Sequence, residues 1–296
     1  MVCTKNGFRV FANIVMILLA LCCVLPFILL ISSSITDEAT LMKNGYAFVP
    51  EVVNFKAYQY LFQSFGGIVK AYGMTVLVTA IGTTINVCLT LFMGYLLSKQ
   101  DLPGRGFISF FIFFTMLFSG GMVPGYIIWS QYMHIGDSIF ALICPNLLLG
   151  AYNVILMRTY FTTNVPQEIL EAAEMDSCSE IGKLFHISIP LSKPMISTVA
   201  LFSALAYWND WINGIYYLTR RKDLYTIQNV LNSMMNNVQF LKENVLDAAS
   251  AQIVNQIPTQ GVRMAIAVIS VLPILIIYPF FQKAFIKGIV IGGVKG

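Results

Sequence analysis

Charge is what this chain has least of. Only 11% of its 296 residues are Asp, Glu, Lys or Arg, against about 25% in soluble globular domains. That is too few to cover a water-facing surface. With 57% hydrophobic residues and a mean hydropathy of +0.74, the chain reads as an integral membrane protein. The net charge of +4 is small and spread out, without the Lys/Arg cluster that marks a nucleic-acid surface. Histidine is limited to His134 and His186, far apart and alone, and no CxxC pair occurs, so no metal site is expected. The six cysteines lie in apolar runs or in segments placed in the cytoplasm, so no disulfide framework is expected. HExxH, GxSxG and GxxxxGK are all missing. Gly182-Lys183 matches the end of a phosphate loop, but Ser177 stands where its first glycine belongs. Neither catalytic residues nor a cofactor site are assigned.

Long apolar runs are what is there. A span needs about 20 mostly apolar residues, and six stretches qualify: approximately 10–31, 73–97, 107–129, 139–161, 195–218 and 264–286. The first is too long for the apolar core of a secretion signal, and no small-residue cleavage pattern follows it. The expected fold is all-α, a single polytopic domain over 1–296 with six transmembrane helices. Lys5, Arg9, Lys99, Arg105, Lys283, Lys287 and Lys295 all fall inside if both termini are cytoplasmic. Arg220, Arg221 and Lys222 run against that assignment, but in a long segment where the charge rule is weaker. Residues 32–72 and 219–263 then lie outside. Each carries a helix-compatible stretch, NFKAYQYLFQSF and LYTIQNVLNSMMNNVQFLKENV respectively.

Polar residues inside the spans are few and patterned. Thr75, Thr79, Thr83, Asn86 and Thr90 share one helix face. A polar stripe in hydrocarbon must face protein or water, so it lines a solute path or packs on a neighbouring helix. Asn146 and Asn153 share a face of the fourth span, beside Pro145, which favours a kink. Trp208, Asn209, Asp210 and Trp211 combine aromatic faces with polar acceptors, a set suited to polyhydroxylated solutes. Asp210 is either part of that path or a hydrated helix end. Asn86, Asn153, Trp208, Asn209 and Asp210 are the candidate substrate-path residues.

The remaining segment, 164–194, is charged and helix-compatible between two spans. Thr163 or Asn164 is expected to cap a helix starting near Pro166. Glu168, Glu171 and Glu174 recur at steps of three near its positive end, and Ala172-Ala173 offers a close-approach surface. Ile181, Leu184, Phe185 and Ile189 form a second apolar set, ended by Pro190 and Pro194. By spacing alone this is either two short helices presented to a partner or an amphipathic loop on the membrane.

Glu171-Ala172-Ala173, then Asp176-Ser177, then Ile187-Ser188-Ile189-Pro190 resembles the EAA loop of binding-protein-dependent ABC importer permeases. The C-terminus and Trp208-Asn209-Asp210 resemble the carbohydrate branch of that family, maltose-type subunits included. The chain departs at Ser177, where the family has glycine, and mildly at Ile189. The resemblance implies a permease subunit in a bacterial cell membrane, importing a sugar, most simply an oligosaccharide, handed over by an extracytoplasmic binding protein. Glu171, Ala172, Ala173, Asp176, Ser177 and Pro190 are then ATPase-coupling residues. Two cytoplasmic ATPase subunits holding ATP-Mg and a second related permease complete the assembly, and part of 219–263 reaches into the binding protein. Two alternatives stand beside it: an ion-coupled secondary transporter using Asp210, and a non-catalytic membrane scaffold.

Overall fold

The computed structural model describes residues 6–62, 65–243 and 259–292. The described residues are mostly helical and fall into two compact units, one within 1–67 and 231–274, the other within 68–230 and 275–296. Among the described residues, three helices are each long and apolar enough to cross a membrane: Gly7–Ser34, Gly66–Ser98 and Thr259–Ile276. Two bent pairs, Arg105–Leu117 with Met122–Tyr132 and Glu180–Leu191 with Lys193–Asn209, raise the number to five if each is one broken span.

The first unit begins with α1 (Asn6–Ser34), whose apolar side chains point outward along nearly its full length, as lipid contact requires. Pro26 sits inside it without ending it. Asp37 caps α2 (Glu38–Asn44) by accepting from the Ala39 amide, and its other oxygen accepts from Asn54 Nδ2 at 2.6 Å. The aromatic stretch expected to be helical forms α3 (Lys56–Phe62). The Glu38 carboxylate accepts from the Gln260 and Gly261 amides and from Thr259 Oγ1, each at 2.9 Å. These are the first residues of the last helix (Thr259–Gly292), whose unpaired amides and dipole favour an anion there.

The second unit is built on α4 (Phe65–Ser98). It continues through α5 (Arg105–Leu117), α6 (Met122–Tyr126) with a π-helical extension Ile127–Tyr132, α7 (Phe140–Ile143) and α8 (Ala151–Asn164). Next come α9 (Gln167–Met175), α10 (Glu180–Lys183) with a π segment Leu184–Ser188, α11 (Ile189–Leu191), α12 (Lys193–Asn209) and α13 (Ile212–Tyr217). The amphipathic stretch after it forms α14 (Ile227–Glu243), and α15 is Thr259–Gly292. Glycines let α4 approach its neighbours closely. A Cβ on Gly82 would lie 2.5 Å from the Tyr207 ring of α12, and one on Gly94 2.7 Å from Met157 Cγ of α8. Two cores result. One gathers Val78, Leu142, Ile143, Tyr207 and Leu218. The other gathers Leu91, Tyr95, Met157, Phe161, Leu184 and Val199.

The expected fourth span, 139–161, is not one helix. It breaks over 144–150, between α7 and α8. Pro145 has no amide to donate, and Asn146 takes a φ of +62°. The carbonyls there are buried or half-buried, and side chains from other helices pair with them. Asn86 Nδ2 donates to Leu147 O at 2.7 Å and to Leu148 O at 3.2 Å. Asn213 Nδ2 donates to Pro145 O at 3.1 Å, and Tyr207 OH to Ile143 O at 3.0 Å. Irregular backbone at membrane depth requires such partners. The third expected span, 107–129, is likewise bent by 118°, at Phe118 to Gly121.

Candidate coupling site

Helix α9 is short, acidic and uncovered. It holds no buried residue; Met175 is 87% exposed and Ile169 is exposed beside Glu168, Glu171 and Ala172. Leu170 is its attachment, packed on the core of Tyr95, Phe161 and Leu184. The expected cap differs: Pro166 occupies the N-cap position without a side-chain bond, because Asn164 Nδ2 turns back to Tyr160 O and Thr163 Oγ1. Glu171 accepts from Gln167 Nε2 at 2.9 Å and is otherwise solvated.

Ser177 ends the helix in a left-handed conformation, φ +58°. The Ser177 amide donates to Glu174 O and the Cys178 amide to Ala173 O, both at 2.9 Å. These are the two bonds of a Schellman C-cap, whose left-handed position is normally glycine. A side chain there costs about 1 kcal/mol or somewhat more. Asp176 is the cap residue before it and donates its amide to Ala172 O.

Ser179 then restarts the chain, its hydroxyl accepting from the Gly182 amide at 3.1 Å. Lys183, in the next turn, is 2% exposed and donates to Glu174 Oε2 and Glu180 Oε1, both at 2.9 Å. The other oxygen of Glu180 accepts from Tyr95 OH at 3.1 Å and from Lys99 Nζ, both near the end of α4. The Lys99 ammonium also lies 5.1 Å from the Tyr95 ring centre. The Lys99 bond, reinforced by Lys183, holds the Glu180 carboxyl at about 2. Glu174 and Glu180 together push the Lys183 ammonium above its ordinary value. In the sequence Lys99 counts only as a charge that orients the spans, and Lys183 only as the end of an incomplete phosphate-loop pattern. The signal was there in Lys183, a lone cation beside the apolar Leu184 with carboxylates three and nine residues before it.

Pro190 lies in the one-turn α11, after which the chain bends by 84° into α12. Pro194 falls in the first turn of α12, where a missing amide removes no bond. The helical run thus continues one residue past Pro190, to Leu191, and Pro194 belongs to the start of α12.

The candidate path residues separate into two places. Asn86 and Asn153 meet around Ser203, whose hydroxyl donates to Asn86 Oδ1 at 2.6 Å and accepts from Asn153 Nδ2 at 3.4 Å. Thr75 and Thr90 are buried and bonded, whereas the hydroxyls of Thr79 and Thr83 are buried without a partner. Trp208 is buried with Nε1 unpartnered, while Asn209 and Trp211 are exposed. Asp210 follows the end of α12, and its Oδ1 accepts from the Ile212 and Asn213 amides at 3.1 and 3.3 Å, starting α13.

Residues 104–291 match the family model described as "Binding-protein-dependent transport system inner membrane component". The polygalacturonan/rhamnogalacturonan transport system permease protein YtcP of Bacillus subtilis is 36% identical over 281 residues, covering 95% of this chain and 96% of its own. The arabinooligosaccharides transport system permease protein AraQ of the same organism is 28% identical over 301 residues, 98% and 96% of the two chains. A chain of a bacterial ABC transporter involved in import of the acidic polysaccharide alginate superposes with a TM-score of 0.75 at 28% identity, over 96% of this chain and 100% of that one. This chain belongs to the family of inner-membrane components of binding-protein-dependent transport systems, the permeases of ABC importers.

Proposed function

We propose that this permease passes an oligosaccharide, delivered by an extracytoplasmic binding protein, across a bacterial cell membrane, and that 164–194 is its contact with a cytoplasmic ATPase. The observation that carries the coupling role is α9: a helix with no buried residue, fixed at its base by Leu170 and by a buried Lys183. An isolated nine-residue helix is marginal in water. One that is held out and left uncovered is suited to a partner's cleft. Closure of two ATPase subunits around ATP-Mg would move that cleft and, through α9, the spans. A second related permease completes the pathway, and both termini lie in the cytoplasm. The oligosaccharide class rests on the relatives, whose names specify polygalacturonan/rhamnogalacturonan and arabinooligosaccharides. Against the ion-coupled alternative, Asp210 Oδ1 accepts from the Ile212 and Asn213 amides at the start of α13, a capping arrangement that favours a structural role.

The test is Glu171→Lys in the assembled transporter. Glu171 has one intrahelical partner, so reversing its charge leaves the fold intact. The variant is expected to reach the membrane at normal level yet fail to retain the ATPase on purification, with uptake of oligogalacturonides or arabino-oligosaccharides lost. Normal retention and normal uptake would overturn the docking role. Uptake of neither sugar class by the unmodified transporter would overturn the substrate assignment.

A further inference from the structure

Transmission of force from a docked helix requires that the helix be tied to a span, and α9 itself contributes only Leu170 to the core. The turn that follows it carries the stronger tie. Lys183 is enclosed, and its ammonium reaches back to Glu174 on α9 and across to Glu180 on its own turn. Glu180 is shared: Oε1 faces Lys183, while Oε2 faces Tyr95 of α4 and Lys99 just past its end. The chain of contacts therefore runs from Glu174 through Lys183 and Glu180 to the end of α4 without a gap. Each bond involves at least one ion, and charge-assisted bonds are the stronger and more directional kind. Breaking one partner of such a group leaves another charge uncompensated, so the geometry resists partial opening. Helix α4 is also the element that approaches α8 and α12 through Gly94 and Gly82. A displacement at its end reaches both.

From this geometry we infer that Glu180 and Lys183 are positioning residues that lock α9 to the end of α4, so that the docking helix and this span move as one body. The inference rests on the docking role proposed above. Neither residue touches solute or nucleotide, and neither belongs to the exposed face of α9.

The test uses the complete transporter with its ATPase and binding protein in lipid nanodiscs. Spin labels on cysteines introduced at Met175 and Gln100, with the native cysteines replaced, report the separation of α9 from the end of α4. With the lock intact the pair is expected to show one narrow distance, unchanged by ATP. Glu180→Gln and Lys183→Met are expected to broaden it and to cut the stimulation of ATP hydrolysis by the binding protein at least fivefold, while the ATPase still co-purifies. Lys183→Arg, which keeps the charge, is expected to restore both readouts, as a merely space-filling role would not require. Should either polar variant fail to reach the membrane, Tyr95→Phe removes a single hydroxyl and is expected to give the same change in smaller degree. A single unchanged distance with stimulation within twofold of normal would overturn the lock. Glu171→Lys run in parallel separates the two ideas: if it too leaves ATPase retention intact, the docking role fails as well.

Discussion

Ser203 Oγ donates to Asn86 Oδ1 at 2.6 Å, although the two residues are 117 positions apart. The bond orients the Asn86 amide so that its NH2 group serves Leu147 O and Leu148 O in the break between α7 and α8. Asn86 is thus the partner that lets a broken segment lie in an apolar setting. Asn86→Leu is expected to leave both carbonyls unpaired and to destabilise the protein by on the order of 1–3 kcal/mol. Ser203→Ala, which removes one bond, is expected to cost about 1 kcal/mol. Thermal unfolding of the detergent-purified protein checks both, and equal losses in the two variants would contradict this division of roles.

Ser177→Gly is expected to stabilise the loop. The left-handed φ of +58° penalises any Cβ, and the Schellman bonds at that position are made by backbone groups. Glycine keeps the bonds and removes the penalty, for a gain of about 0.5–1 kcal/mol. A β-branched residue such as valine is expected to do the opposite by more. Hydrogen exchange at the Ser177 and Cys178 amides reads the difference.

Glu38→Gln is expected to weaken the start of α15. The carboxylate meets two amides and one hydroxyl at a helix N-terminus, where a negative charge contributes about 0.3–1 kcal/mol. Amide exchange at Gln260 and Gly261 is expected to accelerate by about two- to fivefold, with no change at the Ser177 turn.

The lock around Lys183 is expected to be insensitive to pH across the neutral range. Glu180 titrates near 2 instead of its ordinary 4.5, so its contribution is complete above about 4.5 and is lost as pH falls toward 2. Lys183 is raised above its ordinary 10.5, so its contribution is complete below that value and lost only at higher pH. The narrow spin-label distance is therefore expected to hold from about pH 5 to pH 10. Broadening between pH 6 and pH 8 would contradict the assignment of the charges.

Much of this protein follows from local rules. Apolar runs longer than a bilayer core made α1, α4 and α15 legible, since hydrocarbon admits few backbones other than a helix. The spacing from Glu171 to Pro190 marked the segment now proposed to dock, and Ser177 was identifiable as its departure from the family pattern.

Tertiary structure decided which polar residues meet. Asn86 was visible as part of a stripe on α4, but its partners come from the break near Pro145 and from α12, and no periodicity on one helix identifies a carbonyl on another. The fourth span looked continuous by composition. Hydropathy measures how apolar a stretch is and cannot register that Asn86, Tyr207 and Asn213 pair with the carbonyls of an interrupted helix. Lys99, Glu174, Glu180 and Lys183 were four scattered charges along the chain. Only folding placed them within bonding distance, because an ion pair is specified by position in space and charge alone does not name its partner.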